Sequence, residues 1–164
     1  MTSRPFRLFA LAAALAVAAD QIAKALARAW LVPGRPVSFI PDVWDWNLGF
    51  NPGMAFGLGQ TWQGGNTLFA VVAGLACVLL PIYVARRLRD DQAWFPVGLG
   101  LVWAGAMGNL IDRVLAGHVT DFVVWRWKEH RWFTFNVADA VLVAGAIIWL
   151  LDIGGDQKRH RKTT

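Results

Sequence analysis

The chain has 164 residues, 56% of them hydrophobic and 16% charged, with a net charge of +5 and a mean hydropathy of +0.41. Soluble globular chains carry roughly 25% charged residues, so this composition excludes an ordinary soluble domain and points to a single membrane domain spanning residues 1–164. The basic residues sit in short clusters beside apolar runs, which argues against nucleic-acid binding, and the single cysteine, Cys77, excludes a disulfide framework.

The first apolar run follows Arg4 and Arg7, and a span is expected over residues 6–28. Taken alone this run also fits a cleavable secretory signal. The later runs favour an uncleaved anchor instead. An outer connection follows over residues 30–66. Within it, residues 43–51 alternate, with Trp44, Trp46, Leu48 and Phe50 on one face and Asp45, Asn47, Gly49 and Asn51 on the other. That pattern predicts a strand, and Pro33-Gly34, Pro41-Asp42 and Asn51-Pro52-Gly53 mark turns around it, so a small outer sheet is expected.

Further spans are expected over residues 67–86, 93–113 and 137–153. A crossing helix needs about 20 residues. The second and third runs meet this outright. The first and fourth meet it only with Asp20, Lys24 and Asp139 accepted inside or at the rim. Between the third and fourth, residues 116–135 carry Trp125-Arg126-Trp127-Lys128 and Arg131-Trp132-Phe133. Interleaved tryptophan and basic residues predict an interfacial segment placed as a lid. The fold expected is an integral membrane protein, mainly α, with four transmembrane helices, a small extracytoplasmic β-cradle and this lid.

Nine Lys and Arg residues (Arg4, Arg7, Arg86, Arg87, Arg89, Lys158, Arg159, Arg161 and Lys162) fall on one side of the spans and six on the other. The positive-inside rule makes the first side cytoplasmic, with both termini inside. Asp20, Asp112 and Asp139, from three different spans, then reach one depth near the outer face. Ionisable groups at membrane depth are costly, and their default reading is functional.

The chain has two serines, Ser3 and Ser38, without a buried base, and His118, His130 and His160 lack a His-Glu-x-x-His spacing. Serine, cysteine and zinc mechanisms are poorly supported, and carboxylates remain. Two carboxylates sharing a proton can cleave a peptide bond, one as base on water and one polarising the carbonyl. Asn109, Asp112 and Arg113 share a helix face. Asn136 is placed to cap a helix with Asp139 in its first turn. Helix dipoles alone would make Asp139 the base and Asp112 the protonated acid, whereas Arg113, adjacent to Asp112, would favour the charged form of Asp112 if it turned toward it. A proton-relay or transport protein using the same residues is the competing reading. It would need polar groups along the full depth, and the second and third runs are uncharged until the outer end.

The chain resembles bacterial lipoprotein signal peptidase, or signal peptidase II. The matching stretches are Asp20-Gln21-x-x-Lys24, Asn51-Pro52-Gly53-Met54-Ala55-Phe56-Gly57, Gly105-Ala106-Met107-Gly108-Asn109-Leu110-Ile111-Asp112-Arg113, Val119-Thr120-Asp121-Phe122 and Phe135-Asn136-Val137-Ala138-Asp139. The resemblance implies a bacterial cytoplasmic (inner) membrane enzyme. It implies an aspartic endopeptidase that removes signal peptides from diacylglyceryl-modified prolipoproteins, cutting just before the lipidated cysteine. It implies no cofactor or metal, contact with membrane lipids, and inhibition by globomycin. By position the catalytic pair maps to Asp112 and Asp139. Asp20, Lys24, Asn51, Gly53, Asn109, Arg113, Asp121, Asn136 and Ala138 map to substrate-binding or support positions. Pro52, Met54 and Val124 depart from the family pattern.

Overall fold

A computed structural model of the protein describes residues 3–52, 65–88, 93–128 and 130–161. Gly53 and the Met54-Ala55-Phe56-Gly57 stretch lie outside the described residues. The elements run α1 (Arg4–Trp30), β1 (Val37–Ile40), β2 (Trp44–Asn51), α2 (Gly65–Arg87), α3 (Trp94–Ala116), β3 (Val119–Trp127), β4 (His130–Phe135) and α4 (Val137–Arg161).

Local chemistry sets the helix ends. Pro5 sits in the first turn of α1, where a missing N–H costs nothing. That helix closes where Leu31 turns extended and donates its N–H to the Ala27 carbonyl at 2.9 Å. At the end of α3, Gly117 takes the left-handed conformation (φ 75°) and donates to the Arg113 carbonyl at 3.0 Å.

The third helix is central and packs against α1, α2 and α4. A Cβ at Gly105 would lie 2.5 Å from the Ala138 carbonyl oxygen and 2.6 Å from Leu142 Cβ, so only glycine lets α4 come this close. Against α2 the contact is polar as well as apolar. Pro81 lies inside α2 and has no N–H for the carbonyl of Cys77, four residues earlier. The Trp103 indole N–H on α3 donates to that carbonyl at 2.9 Å. Away from these contacts the helices are greasy, with Leu11 and Leu15 on α1, Val78 and Leu79 on α2, and Ile147 and Leu150 on α4 all exposed. α1, the Gly65–Arg86 part of α2, and α3 are long and apolar enough to cross a membrane. The exposed apolar surfaces suit lipid rather than water.

The four strands form one antiparallel sheet in the order β1-β2-β3-β4. The strand expected over residues 43–51 forms as β2, starting one residue later at Trp44, but its expected alternation breaks. The β2–β3 register shifts between Trp46 and Gly49, which re-aims the side chains beyond it. Leu48 is buried while Phe50 is 48% exposed. Asp45, expected on a polar face, is buried and pairs with Arg126 (Oδ2–Nε 3.0 Å).

The segment expected as an interfacial lid supplies β3 and β4 instead. Residues 119–124 are buried, and only the far end exposes Trp125 and Trp127. Buried backbone must be hydrogen-bonded, and strand pairing does this where a loop would not. Phe122 and Val123 join Leu48 and Ala27 in a core that fixes the sheet onto the end of α1.

Candidate active site

The polar residues of α1 meet α3 at Gly108. A Cβ there would lie 2.5 Å from Asp20 Oδ2, so the absent side chain is what lets the Asp20 carboxylate reach the backbone of α3. Lys24 and Asp20, one helical turn apart, are both 0% exposed and pair at 2.9 Å. The Lys24 ammonium also donates to the Gly108 carbonyl at 3.3 Å and Asn109 Oδ1 at 3.0 Å, and lies 3.3 Å from Asp112 Oδ2. A buried charge persists only with such partners. Gln21 Nε2 donates to Asp20 Oδ2 at 3.0 Å and to the Gly108 carbonyl at 3.2 Å. The other Asp20 oxygen accepts the Ala138 backbone N–H at 2.8 Å, tying α1 to the first turn of α4.

That turn is built by Asn136 and Asp139. The Asp139 N–H donates to Asn136 Oδ1 at 3.0 Å, and the Asn136 N–H donates to Asp139 Oδ2 at 3.2 Å. This is a reciprocal cap at the start of a helix. The Asn136 side chain is fully buried, and its Nδ2 donates to Asn109 Oδ1 at 3.1 Å and to Asp121 Oδ1 at 2.7 Å. Asn109 Nδ2 donates to Asp139 Oδ1 at 2.8 Å. With its Oδ1 accepting from Lys24 and Asn136, the Asn109 amide has one workable orientation.

Asp121 reaches the same place from β3. It is 4% exposed, and its second oxygen accepts from Asn51 Nδ2 at 3.1 Å. Burial, and then the neighbouring Asp139 carboxylate, push Asp121 from 3.8 up to about 6, against the lowering effect of Asn51, Asn136 and Lys24. Carboxylates that disfavour each other's charge are the arrangement that lets a pair hold one proton.

Asp112 is placed differently. Its Oδ2 accepts the Thr120 backbone N–H at 2.8 Å and faces Lys24, while its Oδ1 lies 3.7 Å from Arg28 Nη1. Arg28 Nη1 also donates to Thr120 Oγ1 at 2.8 Å. The expectation that Asp112 partners Asp139 therefore meets a carboxylate already engaged by two cations and an N–H. The carboxyl raised by Asp139 is that of Asp121.

The structure gathers Asp20, Lys24, Asn51, Asn109, Asp112, Asp121, Asn136, Ala138 and Asp139 into one network. Arg113 stands at its edge, donating to the Asn109 carbonyl at 3.3 Å with its guanidinium 5.6 Å from the centre of the Phe69 ring. Sequence reasoning missed Arg28 and Thr120. The spacing of Arg28, four residues after Lys24 on one helix face, was the available signal.

Residues 12–154 match the family described as Signal peptidase (SPase) II. The chain is 40% identical over 149 residues to a lipoprotein signal peptidase of Pseudomonas syringae pv. tomato, covering 88% of this chain and 84% of that one. It is 34% identical over 157 residues to a lipoprotein signal peptidase of Geobacter metallireducens, covering 96% of each. Among solved structures it superposes on one described as a bacterial membrane enzyme determined by the in meso method at 2.3 Å resolution. The TM-score is 0.79 and the identity 27%, covering 91% of this chain and 88% of that one. A second such bacterial membrane enzyme, at 1.9 Å resolution, gives a TM-score of 0.75 at 26% identity, covering 87% of this chain and 90% of that one. With three helices among the described residues fit to cross a membrane and a carboxylate network at the foot of a small sheet, the chain belongs to the signal peptidase II family.

Proposed function

We propose that this protein is a membrane aspartic endopeptidase that removes signal peptides from prolipoproteins, and that Asp121 and Asp139 are its catalytic pair. The observation that carries this is the bridge between them. One Asn136 side chain donates to Asp121 and caps the turn that holds Asp139, and the two carboxylates repel each other's charge. Asp139, addressed by N–H donors from Asn109 and Asn136, is the base that takes a proton from water. Asp121 carries the shared proton and polarises the scissile carbonyl. As the water attacks, Asp139 accepts its proton, and a proton then passes to the leaving amine as the peptide C–N bond breaks.

Asp112 has a supporting role, holding Lys24, Arg28 and the start of β3 together. The substrate is a prolipoprotein whose cysteine carries diacylglyceryl, and the cut falls just before that cysteine. A lipid-bearing substrate suits a site reached from a bilayer. The enzyme sits in the bacterial cytoplasmic membrane with four crossings, α4 being the fourth. Both termini are cytoplasmic and the site is near the outer face, a reading that the distribution of Lys and Arg supports. Globomycin is the expected inhibitor.

The test uses purified enzyme and a lipidated precursor peptide in detergent, with turnover and thermal stability measured together. Asp121→Asn and Asp139→Asn each lose more than about a hundredfold in turnover, because each destroys the one-proton pair. At pH 8 Asp121→Asn keeps or raises the melting temperature, since it replaces a carboxylate that burial disfavours by a neutral isostere. Asp112→Asn lowers it, since Lys24 and Arg28 lose their counter-charge. Asp121→Asn turning over within tenfold of the parent would return the second catalytic role to Asp112.

A further inference from the structure

The carboxyl of Asp121 is held by Asn51 and Asn136, but the strand that carries it is gripped one residue earlier. Thr120 is 1% exposed and bonded twice. Its backbone N–H donates to Asp112 Oδ2 at 2.8 Å, and its Oγ1 accepts from Arg28 Nη1 at 2.8 Å. Arg28 Nη1 lies 3.7 Å from Asp112 Oδ1, so residues of α1, α3 and β3 close a ring around the start of the strand.

Arg28 is not the sole counter-charge of Asp112, because the buried Lys24 ammonium, shared with Asp20 at 2.9 Å, stands 3.3 Å from that carboxylate. Nor is it a buried charge in need of a partner, since its side chain is 40% exposed. What it does uniquely is hold a hydroxyl. Successive side chains of a strand point to opposite faces, so a grip on Thr120 leaves Asp121 free to face the other way. Threonine is stiff about χ1, so fixing Oγ1 fixes the backbone that carries it. The planar guanidinium supplies a donor of fixed direction.

We propose that Arg28 is a positioning residue for Asp121, and that its bond to Thr120 Oγ1, anchored on Asp112, sets the start of β3 and hence the placement of Asp121 against Asp139. This rests on the reading of Asp121 as one of the catalytic pair.

Four variants of the full chain, purified in detergent and assayed on a lipidated precursor peptide, test it: Arg28→Ala, Thr120→Val, the double variant and Asp121→Asn. Thr120→Val removes one hydroxyl while keeping shape and backbone N–H. Arg28→Ala and Thr120→Val each lower kcat by about tenfold with KM within about twofold, as misplacement of a reacting group does. The double variant is no slower than either single one, because both remove the same bond. A merely structural role would lower the melting temperature and leave kcat per folded molecule unchanged. Parental kcat in Arg28→Ala or in Thr120→Val, or losses that multiply in the double variant, overturns the proposal while an inactive Asp121→Asn leaves the catalytic pair standing. An active Asp121→Asn overturns both. Should Arg28→Ala fail to insert, Thr120→Val decides alone.

Discussion

Asn136 and Asp139 hold each other across the first turn of α4, each donating a backbone N–H to the other's side-chain oxygen, at 3.0 and 3.2 Å. The same Asn136 side chain sends its Nδ2 to Asp121 at 2.7 Å. Cap and site are therefore one residue, and the two roles can be separated. Serine is also a good N-cap, whereas alanine forfeits about 1 kcal/mol. Asn136→Ser keeps the cap but loses the buried donors to Asp121 and Asn109, so the melting temperature falls by several degrees while turnover falls by well over tenfold, out of proportion to the stability lost. Turnover and stability falling in proportion would make Asn136 a cap and nothing more.

The position of Asp121 near 6 gives a signed pH dependence. If the active pair carries one proton, kcat/KM falls as pH rises past about 6. Asn51 donates to the carboxylate form and lowers this value. Asn51→Ala therefore moves the alkaline limb to higher pH, and a limb that stays or moves down would separate it from Asp121. Stability follows the same linkage. The folded value, about 6, lies above the unfolded 3.8, so this contribution is fully present below 3.8 and is lost as pH rises through 6. Melting temperatures of parent and Asp121→Asn across that window show the loss in the parent alone.

Gly108 marks where α1 and α3 touch. An added methyl would lie 2.5 Å from Asp20 Oδ2 and 3.1 Å from Ala138 Cβ. Asp20 is held by Lys24, Gln21 and the Ala138 N–H and has no free direction in which to move. Gly108→Ala costs about 1–3 kcal/mol by overpacking. It also disturbs Lys24 and Asn109, so unfolding midpoint and turnover fall together. An alanine variant with parental values of both would mean that the helices part without consequence.

Trp103 compensates for Pro81. Its indole N–H supplies Cys77 with the donor that proline withholds. Trp103→Phe keeps the ring but leaves a carbonyl unpaired among apolar groups, a cost of about 1–3 kcal/mol. Restoring the missing N–H with Pro81→Ala in the same chain recovers most of that loss. Turnover per folded molecule is unchanged throughout. A phenylalanine variant as stable as the parent would show the indole bond to be dispensable.

By itself the sequence determined the membrane class, the long apolar helices, the strand that ends at Asn51, and the cap formed by Asn136 and Asp139. Each of these depends on spacing within one segment, through the 3.6 and 2.0 periods, helix-end chemistry, or a single turn of helix. Tertiary structure decided the rest. Residues 116–135 read as an interfacial segment because tryptophans alternate with basic residues there, yet pairing with β2 and burial of Phe122 and Val123 make them strands. Depth and resemblance pair Asp112 with Asp139 in the sequence, and the proposed reading pairs Asp121 with Asp139, because depth is legible from topology and neighbours are not. Only the packed molecule shows Lys24, Arg28 and the Thr120 N–H already at Asp112, and brings Asp121 beside Asn136 and Asp139. A carboxylate's role is set by the donors and charges around it, and those arrive from segments distant in the chain.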